Sequence, residues 1–310
     1  MVEMITFPKD AKDKFQDTSF QTSHSLSDHP LLQLPALIDL ALKMDRDQFE
    51  YSSGDTGPNQ SFEDIKHIDL EPVEVIRQIE DCGAWMVLKN VESIPEYQKL
   101  VENALDSGAR AAGFTSRHDA GMKDAQGFIF VSSAHSTTAF HTDNEQNLFV
   151  QLRGRKAFHT FENRSREVVS DEALESYPGK HRNHVYGDNI EELGTVYELE
   201  PGQGIFLPYI WPHWVKSGEE FSISMAITWK TDEILRNNKL LFANGMMRKI
   251  GLPQSPPGIH PMWDNIKVAG YTLSRAMIEP FRQSERSRRF LRGLLFGRKA
   301  NYYYQTGKEA

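Results

Sequence analysis

Residues 128–161 read FIFVSSAHSTTAFHTDNEQNLFVQLRGRKAFHTF. Three short runs inside this stretch, FIFVSS, NLFVQL and KAFHTF, are rich in β-branched and aromatic residues, and Arg153-Gly154 separates the last two. The same texture continues in TVYELE (195–200), GIFLP (204–208) and FSISMAITW (221–229), with Pro201-Gly202 ahead of GIFLP. Segment 127–230 is therefore predicted to be a compact antiparallel β unit. Many short strands joined by Gly/Pro turns point to a sandwich or barrel.

Outward from this unit the texture is helical. Residues 8–30 are polar and poor in aliphatics, which predicts a loosely held leader over 1–30. Helices are expected in 30–44, in 71–83 with Pro72 in the first turn and Gly83 as the stop, and in 94–110. A buried strand is expected at 84–91, and 51–61 is a loop by composition. Residues 31–126 thus form a helical and mixed part packed on the core. After Lys230, DEILRNNKLLFANGMMRKIG and WDNIKVAGYTLSRAMIEPF read as helices around the connector 253–261. Region 231–310 is then a C-terminal helical part with a basic tail.

The chain has 310 residues, 39% hydrophobic and 25% charged, which excludes wholesale disorder. A single cysteine, Cys82, excludes a disulfide framework and any Cys-rich zinc or iron–sulfur site. No apolar run approaches the roughly 18 residues of a membrane span, and the N-terminus lacks a basic-then-apolar signal pattern. A cytoplasmic protein is expected. The net charge of −8 argues against general nucleic-acid binding. It is unevenly spread: segment 281–299 holds seven Lys/Arg and one Glu, leaving −14 on the rest.

Two His-x-Asp pairs occur, His67-Ile-Asp69 and His141-Thr-Asp143, where chance alone predicts about 1.5 His-x-acid pairs. On a strand, residues i and i+2 share a face, so such a pair can hold a divalent metal at two adjacent positions. A second histidine completes the 2-His-1-carboxylate triad, which leaves coordination positions open and suits non-haem Fe(II) oxygenases. His67-Asp69 precedes a helix, outside the β unit, and reads as a surface or capping pair. His141-Asp143 lies inside it. The candidate partners are His159, His181, His184 and His213; His213 is enclosed by Trp211, Pro212 and Trp214, which also suits a histidine packed between aromatics.

Lys156 shares a face with Phe158 and Thr160. It either points outward beside the turn or points inward and binds an anion, since a lysine on a core face is costly unpaired. Thr138, three residues before His141, can add a hydroxyl to the same anion. In FSISMAITW, Ser222, Ser224, Ala226 and Thr228 form a small polar face that either lines a cavity or meets water.

Residues 128–161, ELEPGQGIFLPYIWPHWVKSGEEFSISMAITW (198–229) and RKIGLPQSPPG (248–258) together resemble the JmjC/cupin-like family of Fe(II)- and 2-oxoglutarate-dependent oxygenases, in particular its bacterial cupin-like subgroup. The resemblance spans about 84–262. It implies a mainly β core, a double-stranded β-helix (jelly roll) flanked by N- and C-terminal helices. It implies that His141, Asp143 and His213 bind iron, that Lys156 holds the far carboxylate of 2-oxoglutarate with Thr138 as hydroxyl partner, and that Asn147 lies beside the cosubstrate. The family's additional tyrosine donor has no match here. The implied activity is a dioxygenase that uses O2, decarboxylates 2-oxoglutarate to succinate and hydroxylates a protein or peptide side chain or a small molecule. The alternative is a non-oxygenase metal-binding cupin, an isomerase or a small-molecule binding module. Relatives dimerise through C-terminal helices, which would give 232–296 a purpose. In the tail, RSRRFLRGLLF reads either as a basic amphipathic helix for peripheral contact with anionic lipid or nucleic acid, or as a helix docked on the acidic body or in a dimer interface. Trp211, Trp214 and Trp229 are the candidates for a substrate wall.

Overall fold

The computed structural model describes residues 3–61, 65–176, 183–187, 189–282 and 284–296. The strands, in chain order, are β1 (Ile5–Thr6), β2 (Phe20–His24), β3 (Phe49–Ser53), β4 (Ala84–Lys89), β5 (Lys123–Ser132) and β6 (Thr137–His141). They continue with β7 (Gln146–Arg153), β8 (Lys156–Phe161), β9 (Gly194–Leu199), β10 (Gln203–Leu207), β11 (His213–Ser217) and β12 (Ser222–Lys230). The helices that matter below are α1 (Ala11–Lys14), α2 (Leu34–Ala41), α3 (Pro72–Arg77), α4 (Pro95–Ala111), α5 (Asp171–Glu175), α6 (Asp232–Lys249), α7 (Pro261–Arg282) and α8 (Glu285–Phe296).

Strands β5 to β12 pair in a nested way. β5 pairs with β12, β6 with β11, β7 with β10 and β8 with β9, all antiparallel. That nesting makes a jelly roll of two sheets. The larger runs β1-β2-β10-β7-β12-β5-β4-β3 and the smaller β6-β11-β8-β9. The double alternation of β12 follows from its place. Ile223, Met225, Ile227 and Trp229 face the main core, which α2, α3 and α4 cover. Ser222, Ser224, Ala226 and Thr228 are equally buried and face the interior between the two sheets. The small polar face lines the interior and does not meet water.

The core between the sheets is aromatic, with Phe149, Phe158, Trp211 and Val215 closing on Leu199, Ile205 and Leu207. A third cluster, around Phe140 and Phe161, lies on the outer side of the smaller sheet. Trp229 belongs to the main core, where its ring stacks on Phe15 and tilts against Phe206, so it is removed from any wall lining the interior.

The first thirty residues differ from expectation. Residues 8–30, polar by composition, supply α1 and β2, and β2 pairs with β10 from Phe20↔Phe206 to Ser23↔Gln203. Phe20 and Leu26 are buried in the main core, and the Met4 and Ile5 amides both donate to Ser107 Oγ on α4 at 3.0 Å. Few but well-spaced apolar residues suffice, because strand pairing satisfies the backbone.

Helix α6 begins where β12 ends. Thr231 caps it by accepting from the Ile234 amide, Asp232 and Glu233 occupy its first turn, and Arg248 and Lys249 its last. A buried polar network fixes the helices on one another. Glu175 at the end of α5 takes an ion pair from Arg248 and a 2.7 Å bond from Asn244 Nδ2. Lys267 on α7 donates to Asn244 Oδ1 at 2.7 Å and pairs with Asp264 at 3.1 Å. Of the basic tail, residues up to Phe296 continue as α8, while 297–299 lie outside the described residues.

Candidate metal centre

The register of the smaller sheet assembles the site. His213, first residue of β11, is paired directly with His141, last residue of β6. Directly opposed residues point to the same side, and that side is the interior. Asp143 follows two residues later, in the loop leaving β6. The ligand atoms of His141, Asp143 and His213 lie within 4.8 Å of one another. His141 Nε2 is 3.9 Å from Asp143 Oδ1, and His213 Nε2 is 3.8 Å from Asp143 Oδ2.

Each imidazole is oriented by its other nitrogen. His141 Nδ1 is 2.7 Å from the Ala139 carbonyl and His213 Nδ1 is 2.9 Å from the Trp211 carbonyl. A carbonyl only accepts, so both Nδ1 atoms carry a proton and both Nε2 atoms are turned toward Asp143. Burial, reinforced by His141 and opposed by Asp143 and the Trp211 carbonyl, lowers His213 to about 3. It is neutral, as a metal ligand must be. Phe158 stacks on its ring at 5.2 Å.

A β-bulge decides where Thr138 points. Opposite β11, two steps from His213 to Val215 match three steps from His141 back to Thr138. The extra residue resets the alternation, so Thr138 shares the inner side with His141. Trp85 Nε1 donates to Thr138 Oγ1 at 2.8 Å. Asn147 on β7 donates to Asp143 Oδ2 at 3.4 Å, and its Oδ1 is buried without a hydrogen-bond partner, as is Thr228 Oγ1 directly across from it on β12.

Lys156 points inward. It is 3% exposed, its Nζ donates to Ser224 Oγ at 2.9 Å, and the rings of Phe130 and Phe149 lie 5.6 and 5.7 Å away. Among the described residues no carboxylate pairs with it. Burial pulls its pKa down to about 7. On β8 it sits four residues before Thr160, the partner of His213. The two ends of the interior are therefore about 13 Å apart along the strand.

The other histidines sit elsewhere. His159 is on the outer side of β8, stacked on Trp214 at 3.7 Å and 3.4 Å from Glu191. His184 contacts Thr142 Oγ1 at 2.9 Å, outside the ligand loop, and burial with nearby His141 lowers it to about 4. His181 lies outside the described residues. His67 and Asp69 remain in the loop before α3, apart from the cluster. Of the three tryptophans, Trp211 lines the interior with an unpartnered Nε1, Trp214 stacks outside and Trp229 is core. Ser224 and Trp85 complete the interior. Alternation placed Ser224 on the correct face, but nothing in the buried run AWMVLK marked Trp85.

A family model described as the cupin-like domain matches residues 35–233, well over half of the chain. The chain belongs to the cupin-like domain family. Within this cupin-like domain the triad falls on β6 and β11 and the lysine on β8, all inside the matched residues. Among solved structures, YcfD of Escherichia coli is similar over 94% of this chain and 72% of its own length, at 16% identity and a TM-score of 0.49. A ribosomal oxygenase YcfD from Escherichia coli in complex with cobalt and 2-oxoglutarate is similar over 93% and 70%, at 15% identity and a TM-score of 0.45. No curated protein matches the chain in sequence.

The residues fit a divalent metal and a dianionic cosubstrate. Two imidazoles and a carboxylate on one side leave other coordination positions open, the donor set of non-haem Fe(II) oxygenases. A buried cation without an anionic partner among the described residues, at the far end of the same interior, is costly alone and is relieved by a carboxylate.

Proposed function

We propose that the protein is an Fe(II)- and 2-oxoglutarate-dependent oxygenase that hydroxylates a protein or peptide side chain or a small molecule. The observation that carries this reading is the His141, Asp143, His213 triad together with buried Lys156, which has no carboxylate partner among the described residues, inside one jelly roll. Bound iron would activate O2, the oxidant, and 2-oxoglutarate would supply two of the four electrons, leaving as succinate and CO2, while the C–H substrate supplies the other two. The chain's own residues bind, orient and exclude water. His141 and His213 present their Nε2 atoms, the rings being held through Nδ1 by the Ala139 and Trp211 carbonyls. Asp143 supplies the charge and is steadied by Asn147. Lys156 and Ser224 anchor the far carboxylate, with Thr138 beside them on Trp85. Phe130, Phe149 and Phe158 keep the interior dry, which strengthens the charge pairing.

The site is read as solely this chain's, but an assembly is proposed as well. Met262, Ile266, Leu273 and Met277 are exposed and recur along one side of α7, opposite the side that carries buried Asp264 and Lys267. We infer that a second copy covers this face in a homodimer through the C-terminal helices. No helix among the described residues is long and apolar enough to cross a membrane, and a cytoplasmic setting suits the reading.

The test is anaerobic titration of the metal-free protein with Fe(II) and 2-oxoglutarate, followed by the charge-transfer band of the chelate and by succinate formation in air. The band is expected in wild type, absent in His213→Ala, and shifted to higher 2-oxoglutarate in Lys156→Ala. A metal-loaded protein that binds 2-oxoglutarate equally well with and without Lys156 would refute the oxygenase reading and favour a non-oxygenase cupin.

A further inference from the structure

A cavity of about 330 Å3 lies outside the jelly roll, between α6, α7, the end of α5 and the loop that follows β6. That is within the size range of small-molecule sites. Leu174, Ile210, Leu241 and Phe242 make one apolar side. Lys239 from α6 and Arg275 from α7 reach it from two helices, and no acidic side chain lines it among the described residues. Arg275 has Glu279 at 3.7 Å, an exposed ion pair of the kind that contributes little.

The wall is rigid. Asn238 Nδ2 donates to the Asn144 carbonyl and its Oδ1 accepts from Tyr209 OH, both at 2.9 Å. Ile210 is held with φ at 52°, a left-handed conformation that a β-branched residue adopts only when its surroundings enforce it. Its amide donates to the Asp143 carbonyl at 2.9 Å. Thr142 and Asn144, on either side of Asp143, line the cavity, and Asp143 itself is not among its lining residues. The cavity thus abuts the loop that carries Asp143.

We propose that this cavity is a second ligand site, separate from the metal centre, that takes a small amphipathic anion: one carboxylate group on an apolar chain or ring. Two cations that line one solvent-reached cavity favour an anionic head between them, while an apolar body fills the leucine and phenylalanine wall. The site needs neither iron nor 2-oxoglutarate, so this inference and the oxygenase reading stand or fall separately.

The experiment is calorimetric titration of the full chain, with and without Fe(II) and 2-oxoglutarate, using sodium octanoate and, as its uncharged counterpart, octan-1-ol. Octanoate is expected to bind at one site about tenfold more tightly than the alcohol, the equivalent of roughly 1.4 kcal/mol. The double variant Lys239→Ala, Arg275→Ala should bring octanoate to the level of the alcohol; neither side chain belongs to the buried core, so their removal should leave the fold intact. Leu273→Ala, on the exposed side of α7, and Lys156→Met, in the interior, should leave octanoate binding unchanged. The inference is overturned if octanoate does not bind, if acid and alcohol bind equally, if the double variant binds octanoate as wild type does, or if Lys156→Met abolishes binding.

Discussion

Replacing Lys156 with methionine should make the metal-free protein more stable and at the same time remove its cosubstrate anchor. The lysine falls from an ordinary value of 10.5 to about 7 because its ammonium is buried. At about 1.4 kcal/mol per pH unit, that difference is on the order of 5 kcal/mol against the folded state. The sign follows from proton counting. Between pH 10.5 and 7 the unfolded chain holds a proton on this group that the folded chain lacks, so stability falls as pH drops through that window. The penalty is complete at and below about pH 7 and absent above 10.5. Methionine is nearly the same length, carries no charge, and suits the flanking Phe130 and Phe149 rings. Against the gain stands the hydrogen bond of Ser224, worth about 1 kcal/mol. Lys156→Met should therefore gain about 4 kcal/mol in urea unfolding at pH 7, with the gain shrinking toward pH 10. Adding 2-oxoglutarate with metal at 100 times its Kd should return about 2.7 kcal/mol to wild type only. A variant less stable than wild type at pH 7, or a gap that does not narrow with rising pH, would refute Lys156 as an uncompensated buried cation.

Four other outcomes are expected. In the metal-free protein, the His213 imidazole should stay neutral at pH 5 by NMR, since burial lowers it to about 3; a midpoint near the ordinary 6.5 would show a solvated ring. Gly245→Ala should cost about 3 kcal/mol and lower the thermal midpoint, because an added Cβ would overlap the Glu175 carbonyl where α5 meets α6; an unchanged midpoint would mean that this helix contact is loose. Leu273→Glu combined with Met277→Glu should shift sedimentation from dimer to monomer without unfolding the chain, both side chains being exposed; a wild-type chain that is already monomeric would dispose of the proposed interface. Trp85→Phe should cost about 1 kcal/mol in urea unfolding through the lost bond to Thr138 and should weaken 2-oxoglutarate binding; no change in either would leave Trp85 as packing alone.

Much of the β core was legible in the chain itself. Alternation has a period of two and needs only a strand's own residues. It therefore separated Lys156, Phe158 and Thr160 from His159, and Ser224 from Met225, before any partner strand was known. The absence of further cysteines confined any metal to histidine and carboxylate ligands. What alternation leaves open is which face turns inward. That depends on the sheet packed opposite, and it settled both Lys156 and the small polar face of β12.

Tertiary structure decided the rest. Only the nested pairing of β6 with β11 sets His213 directly across from His141, while His159, nearer in the chain, stacks outside on Trp214. The bulge that turns Thr138 inward is a property of two strands in register and cannot appear in one strand's spacing. Trp229 looked like a wall residue because aromatic composition carries no direction; the helices covering the larger sheet claimed it for the core. Residues 8–30 looked loose because their apolar content is low, yet an open edge at β10 gave β2 a partner for its backbone. Local chemistry and periodicity chose the residues able to do the work. The non-local strand pairing chose which of them meet.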